Sequence, residues 1–166
     1  SGGLKAAFLL NCEPEYDSAA AQKSAEALNT AEMVVTLSPF KANMAFSDVL
    51  LPIAPFSETS GTFVNAEGRV QSFHAVVRPL GETRPAWKVL RVLANMLELP
   101  GFDFDASTDV LKAALGGSDL AQLDASNLNN RTSAAVAAGE SATAPVVAAM
   151  YQLDSLVRRA PALQAT

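Results

Sequence analysis

The sequence predicts an α/β domain in which a partial parallel sheet of βαβ type is followed by an antiparallel hairpin and flanking helices. Three observations carry this. Two short aliphatic runs, "LKAAFLLN" and "MVVTLS", bracket a stretch with helical spacing. The tetrapeptide Asn65-Ala66-Glu67-Gly68 separates two β-prone runs. "RPAWKVLRVLANMLEL" places Leu90, Leu93 and Leu97 at helical intervals. Strand, helix and strand within about thirty residues imply a right-handed crossover and a parallel pair, so the sheet is Rossmann-like.

Taken in order, Leu4–Asn11 reads as a strand buried on both faces. "DSAAAQKSAEALN" reads as a helix capped by Asp17 or Ser18, with Ala21, Ala25 and Leu28 on one side. "MVVTLS" is a second buried strand, and Ser47–Pro52 a third after a connector with room for one helical turn. Beyond Pro52, "GTFVN" and "RVQSF" flank the Asn-Ala-Glu-Gly turn, where Asn opens a type I turn and Gly68 takes positive φ. The next helix starts with Pro85 in its first turn, includes Trp87 against its apolar stripe and stops at Pro100-Gly101. "DASTDVLKAALGG" is a further helix, with Asp105 or Ser107 as cap and Gly116-Gly117 as stop. The organisation expected is an α/β segment over 1–117, a flexible Ala/Ser/Asn-rich excursion over 118–145, and a C-terminal strand and docking segment over 146–166 with a capped turn at Asp154.

Composition narrows the function. The 166 residues are 49% hydrophobic and 17% charged with net charge −5, so no basic field attracts a nucleic acid. The longest apolar runs fall far short of the ~20 residues of a membrane helix, so no membrane insertion is expected. One cysteine, Cys12, and one histidine, His74, form neither a disulfide nor a metal-ligand set. The opening Ser1-Gly2-Gly3 reads as a tag remnant or linker ahead of a segment taken from a longer protein.

Among candidate sites, Glu58, Gly61, Thr62, Asn65, Glu67, Gly68 and Arg69 crowd into one stretch. Asn65 and Gly68 are what a turn requires, and Gly61 lets the chain bend into the hairpin. Glu58 and Arg69 are not required by the turn, and a buried ion pair between them that fixes the hairpin is the reading preferred over a catalytic one. Cys12 follows the first strand, at the end of an α/β sheet where ligands bind, but reads as a small buried hydrophobe. His74 has no triad partner nearby. "DFDASTD" fails as a calcium loop, because Thr108 stands where Gly is needed and Ala114 where Glu is needed. "NCEPEYD" carries no glycine, so the usual dinucleotide phosphate cradle is missing.

Three segments together, "LLNCEPEYD", "SDVLLPIAPFSETSGTFVNAEGRVQSF" and "PLGETRPAWKVLRVLANML", resemble the molybdopterin oxidoreductase superfamily, and within it the G subunit of bacterial NADH-quinone oxidoreductase. The match runs through Leu51, Pro52, Glu58, Gly61, Thr62, Asn65, Glu67, Gly68, Arg69, Val70 and Gln71, with Ser47 where the family usually has Ala. It covers roughly residues 4 to 100, and "YQLDSLVRRAPALQ" is similar to the end of such subunits. The resemblance implies a scaffold segment without its own cofactor, catalytic residue or metal. It also implies iron-sulfur clusters upstream, other peripheral-arm subunits as partners, and a place on the cytoplasmic side of the bacterial inner membrane. The alternative is a segment of a catalytic molybdenum or tungsten oxidoreductase of the formate dehydrogenase kind, which carries a bis-molybdopterin guanine dinucleotide. A free-standing small-molecule binding module is a third reading. An isolated segment with an open first strand is also expected to pair with a second copy, a dimer without biological meaning.

Overall fold

The computed structural model describes residues 5–116 and 150–165. The architecture is mixed α/β, with a parallel three-stranded sheet in the order β1-β2-β3 and a separate antiparallel pair β4-β5. Strands β1 (Ala6–Leu10), β2 (Met33–Ser38) and β3 (Val49–Pro52) form the sheet, and β4 (Gly61–Val64) and β5 (Val70–Phe73) form the hairpin. The helices are α1 (Pro14–Asp17), α2 (Ala21–Asn29), α3 (Ala86–Met96), α4 (Ser107–Ala114) and α5 (Pro161–Gln164). The expected excursion over 118–145 and the strand expected from Val146 lie outside the described residues.

The chain divides into two compact units, one of Ser1–Thr36, Lys41–Leu50 and Thr132–Thr166, the other of Leu37–Phe40 and Leu51–Arg131. In the first, Val34 and Thr36 are sealed from solvent. Polar groups are paired as burial demands. The Val34 amide donates to the Asp48 carboxylate at 2.6 Å, and the Thr36 and Ser47 hydroxyls are 2.8 Å apart. In the second, Leu37, Ile53, Ala54 and Ala94 are buried, and Ala54 donates to the Arg84 carbonyl at 2.9 Å beside a parallel bridge between Ile53 and Arg84.

Several local expectations change. The first strand is not buried on both faces: it lies at an edge of the sheet, and Phe8 and Leu10 are almost half exposed. β3 begins at Val49, and the two residues before it, Ser47 and Asp48, bond β2 through their side chains. "CEPEYD" forms the short helix α1, with Pro14 in its first turn. Asp17 therefore ends a helix and caps none; Ser18 accepts from the Ala20 amide and bonds the Ser24 hydroxyl, which positions the start of α2. Along α2, Ala21, Ser24, Ala25 and Leu28 are half-buried, the stripe that the spacing predicts.

Helix α3 stops at Met96, before Pro100-Gly101. Glu98 takes φ 57°, its amide donates to Asn95, and the Leu99 amide donates to Ala94 at 3.0 Å. This is a Schellman ending built on a glutamate, where glycine is usual. Helix α4 has Ala106 before its first turn, with the Asp109 carboxylate reaching back to the Ala106 amide at 3.0 Å, so neither Asp105 nor Ser107 is the cap. Gly116 at φ 60° follows its end, as a glycine stop should.

Candidate functional site

The hairpin explains most of the crowded stretch in backbone terms. Asn65 accepts from the Glu67 and Arg69 amides through Oδ1 at 3.0 and 2.8 Å, and its carbonyl accepts from the Gly68 amide at 2.9 Å. Gly68 sits at φ 80°, a region where a Cβ is strained. The strands pair Gly61 with Phe73 and Phe63 with Gln71, so these four residues share one face. Phe73 stacks on Phe63 at 4.9 Å and lies over Gly61, where a Cβ would stand 2.7 Å from the ring. Gly61 is thus a seat for an aromatic ring. On the opposite face the Thr62 and Ser72 hydroxyls bond at 3.0 Å.

Glu58 and Arg69 do not meet as expected. Glu58 Oε2 accepts the Leu80 amide at 2.9 Å, and the neighbouring Ser57 carbonyl accepts from Val76 and Val77. Together they tie down the loop after the hairpin. Arg69 instead lies 3.8 Å from Glu67, both well exposed, a pair of little energetic weight. A charged side chain in a tight turn reaches its sequence neighbour more readily than a residue eleven positions back, and Glu58 faces a loop amide that lacks a strand partner.

Around this framework lies a cavity of about 280 Å³, lined by the hairpin, Trp87 and one face of α4. His74 is part of its wall, with the hydroxyls of Ser60, Thr62, Ser72, Ser107 and Thr108, and no hydrogen bond joins the imidazole to any of them. Among the described residues no group of three or more His, Cys, Asp or Glu is placed to hold a metal ion.

In the other unit the structure reveals a cluster that sequence reasoning missed. Glu13, 4% exposed, faces Arg158 at 3.2 Å and Arg159 at 2.8 Å, while Arg158 reaches Asp17 at 2.9 Å. Arg158 Nε also donates to the Gln152 carbonyl at 3.0 Å, and its guanidinium lies 4.3 Å from the Tyr16 ring centre. Asp17 in turn accepts the Glu13 amide at 2.7 Å. Burial pushes the Asp17 carboxyl up, but the Glu13 amide and Arg158 outweigh it and hold it below its ordinary 3.8. For Cys12, burial first and then the Asp17 and Glu13 charges raise the thiol above 9.0, so it is protonated at neutral pH. The Cys12 carbonyl is held by Asn43 Nδ2 at 2.8 Å. Nothing local links "CEPEYD" to "VRRAP", because Asp17 and Arg158 are 141 residues apart. The one available signal was two adjacent arginines in an otherwise apolar terminal run.

Residues 1–96 match the family described as molybdopterin oxidoreductase. A Staphylococcus aureus protein (strain bovine RF122 / ET3-1) named "Putative formate dehydrogenase" is 45% identical over 60 residues, which is 36% of this chain and 6% of that protein. Its counterpart in strain USA300, with the same description, is 42% identical over 60 residues, again 36% of this chain and 6% of the relative. The match therefore spans a small part of these relatives' length. Acetylene hydratase from Pelobacter acetylenicus superposes with a TM-score of 0.57 at 21% identity, over 74% of this chain and 17% of that one, a likeness of fold.

Proposed function

Since this chain belongs to the molybdopterin oxidoreductase family, we propose that it is a framework segment of a molybdenum- or tungsten-dependent oxidoreductase of the formate dehydrogenase type. The observation that carries this reading is the 45% identity over 60 residues to a protein named for that activity. It favours the catalytic alternative over the electron-transfer subunit to which the hairpin wording pointed.

The donor chemistry of these residues does not fit ligation of the metal. Cys12 is the sole thiol; its burial beside Asp17 and Glu13 disfavours the thiolate that a metal needs. The turn after β1 is closed by Asn43, Asp17 and Arg158 and offers no glycine-rich cradle to a phosphate. The work of the residues around the hairpin is positional: Glu58 fixes the loop at Leu80, Asn65 and Gly68 fix the turn, and Gly61 seats Phe73.

The reading is tested on the full-length protein purified from its own cells. Molybdenum or tungsten in stoichiometric amount, a fluorescent pterin after oxidation and formate-dependent dye reduction are expected. Iron with neither metal nor pterin overturns it. That result would favour the G subunit of NADH-quinone oxidoreductase, the reading supported by the "SETSGTF" and "EGRVQ" wording. Under that reading, iron-sulfur clusters elsewhere in the subunit carry the electrons and peripheral-arm subunits are its partners.

A further inference from the structure

Next to the cavity beside the hairpin lies a second space of about 460 Å³, and Ser60, Trp87 and Ser107 line both. The two spaces differ in charge. Phe73, Trp87, Val110, Leu111 and Ala114 give the first an apolar wall. Arg78, Arg84 and Lys88 line the second, against Glu58 as its one carboxylate, in a chain whose net charge is −5. Glu58 is already engaged by the Leu80 amide. Arg84 is shared with Glu82 at 3.2 Å, and Lys88 lies 5.3 Å from the Trp87 ring centre. Arg78 has neither an ion pair nor a hydrogen bond among the described residues.

We propose that these two adjacent spaces together form a binding site for an amphiphilic organic anion, whose apolar body enters the cavity between the hairpin and α4 while its carboxylate or phosphate head meets Arg78 and Lys88. Size and charge agree on this class. A volume of about 280 Å³ is close to the lower bound of about 300 Å³ for small-molecule sites, so the body is small. Arg78 is exposed and makes no ion pair among the described residues, so its guanidinium can receive an anionic head, while the apolar wall of the neighbouring cavity gains only from a body that displaces its water.

Trp87 is the chain's only tryptophan, so its fluorescence reports on the site directly. The 166-residue chain is titrated with decanoate and decyl phosphate below their micelle concentrations, and with decanol, acetate and inorganic phosphate. Saturable changes with one or both amphiphilic anions are expected, the tighter of the two identifying the head, with decanol at least ten-fold weaker and the bare heads silent. Arg78→Glu, on an exposed side chain, is expected to weaken binding at least ten-fold. Ala114→Phe, which fills the cavity from an exposed position on α4, is expected to abolish it. Circular dichroism of each variant checks that the fold is retained. Equal binding of decanol and decanoate, an unchanged Kd in folded Ala114→Phe, or no saturable change with either anion overturns the proposal.

Discussion

Removing the Arg158 guanidinium would leave Glu13 buried with Arg159 as its remaining cation and would strip Asp17 of its partner. Breaking a buried pair from one side costs several kcal/mol, since the surviving charge keeps its desolvation penalty. Arg158→Ala is therefore expected to lose about 3 kcal/mol of stability, read as a lower urea midpoint. Arg158→Lys should recover little, because one ammonium cannot serve Glu13, Asp17 and the Gln152 carbonyl together. The cluster also sets an acid limit. Asp17 is held below its ordinary 3.8, so its contribution is fully present above that pH and is lost as pH falls through the lower folded value. Asp17→Asn should flatten this part of the acid unfolding curve and leave the slope of stability against pH between 6 and 8 as it is in the parent. Residues whose role was legible were those serving the local backbone: Asn65 and Gly68 follow from turn chemistry alone. The partners of Glu58 and Arg69 were not, since a charge reveals its sign in the sequence and its partner only in space.

At the scale of elements, two glycine questions have opposite answers. Gly61 pairs with Phe73 across the hairpin, and the ring occupies the place of its missing Cβ. Gly61→Ala must push that ring off Phe63 and is expected to cost about 1–2 kcal/mol, the range of an overpacked contact. Gly61→Ala with Phe73→Leu should regain part of the loss in thermal melts, because a smaller side chain clears the new methyl. Glu98 is the reverse case, a residue with a Cβ in the left-handed region at the end of α3. Glu98→Gly should raise stability by roughly 1 kcal/mol, visible as a higher Tm, with the Leu99 to Ala94 bond retained. Helical spacing located α2, α3 and α4, and the ends of α2 at Asn29 and of α4 before Gly116 were legible, whereas the starts of α2 and α4 and the end of α3 were misjudged. A helix end is decided by a few hydrogen bonds that unlikely residues can supply, as Glu98 and Asp109 do. The burial of β1 was misread for another reason: an aliphatic run does not say whether its strand has a neighbour on both sides.

For the whole molecule, a parallel sheet, a crossover and a hairpin were all legible because periodicity and turn residues are local. The partition of the chain was not. One compact unit joins its beginning to its end, with Arg158 and Arg159 seated on Glu13 and Asp17. A chain ending at residue 149 should accordingly lose amide hydrogen-exchange protection in Ala6–Leu10 and Met33–Thr36 and retain it in the Gly61–Phe73 hairpin; equal loss in both would refute the division. The lock also sets a timetable for the growing polypeptide. Asp17 leaves the ribosome 141 residues ahead of Arg158. At about 5–20 residues per second, Asp17 and its neighbour Glu13 wait about seven to thirty seconds for their counterions. Throughout that interval the two carboxylates stay hydrated and the β1 turn remains open, so β1 settles after the later-made hairpin. A translation stall shortly before Arg158 would leave a nascent chain whose hairpin is finished and whose strand β1 is still within reach of a chaperone or a protease.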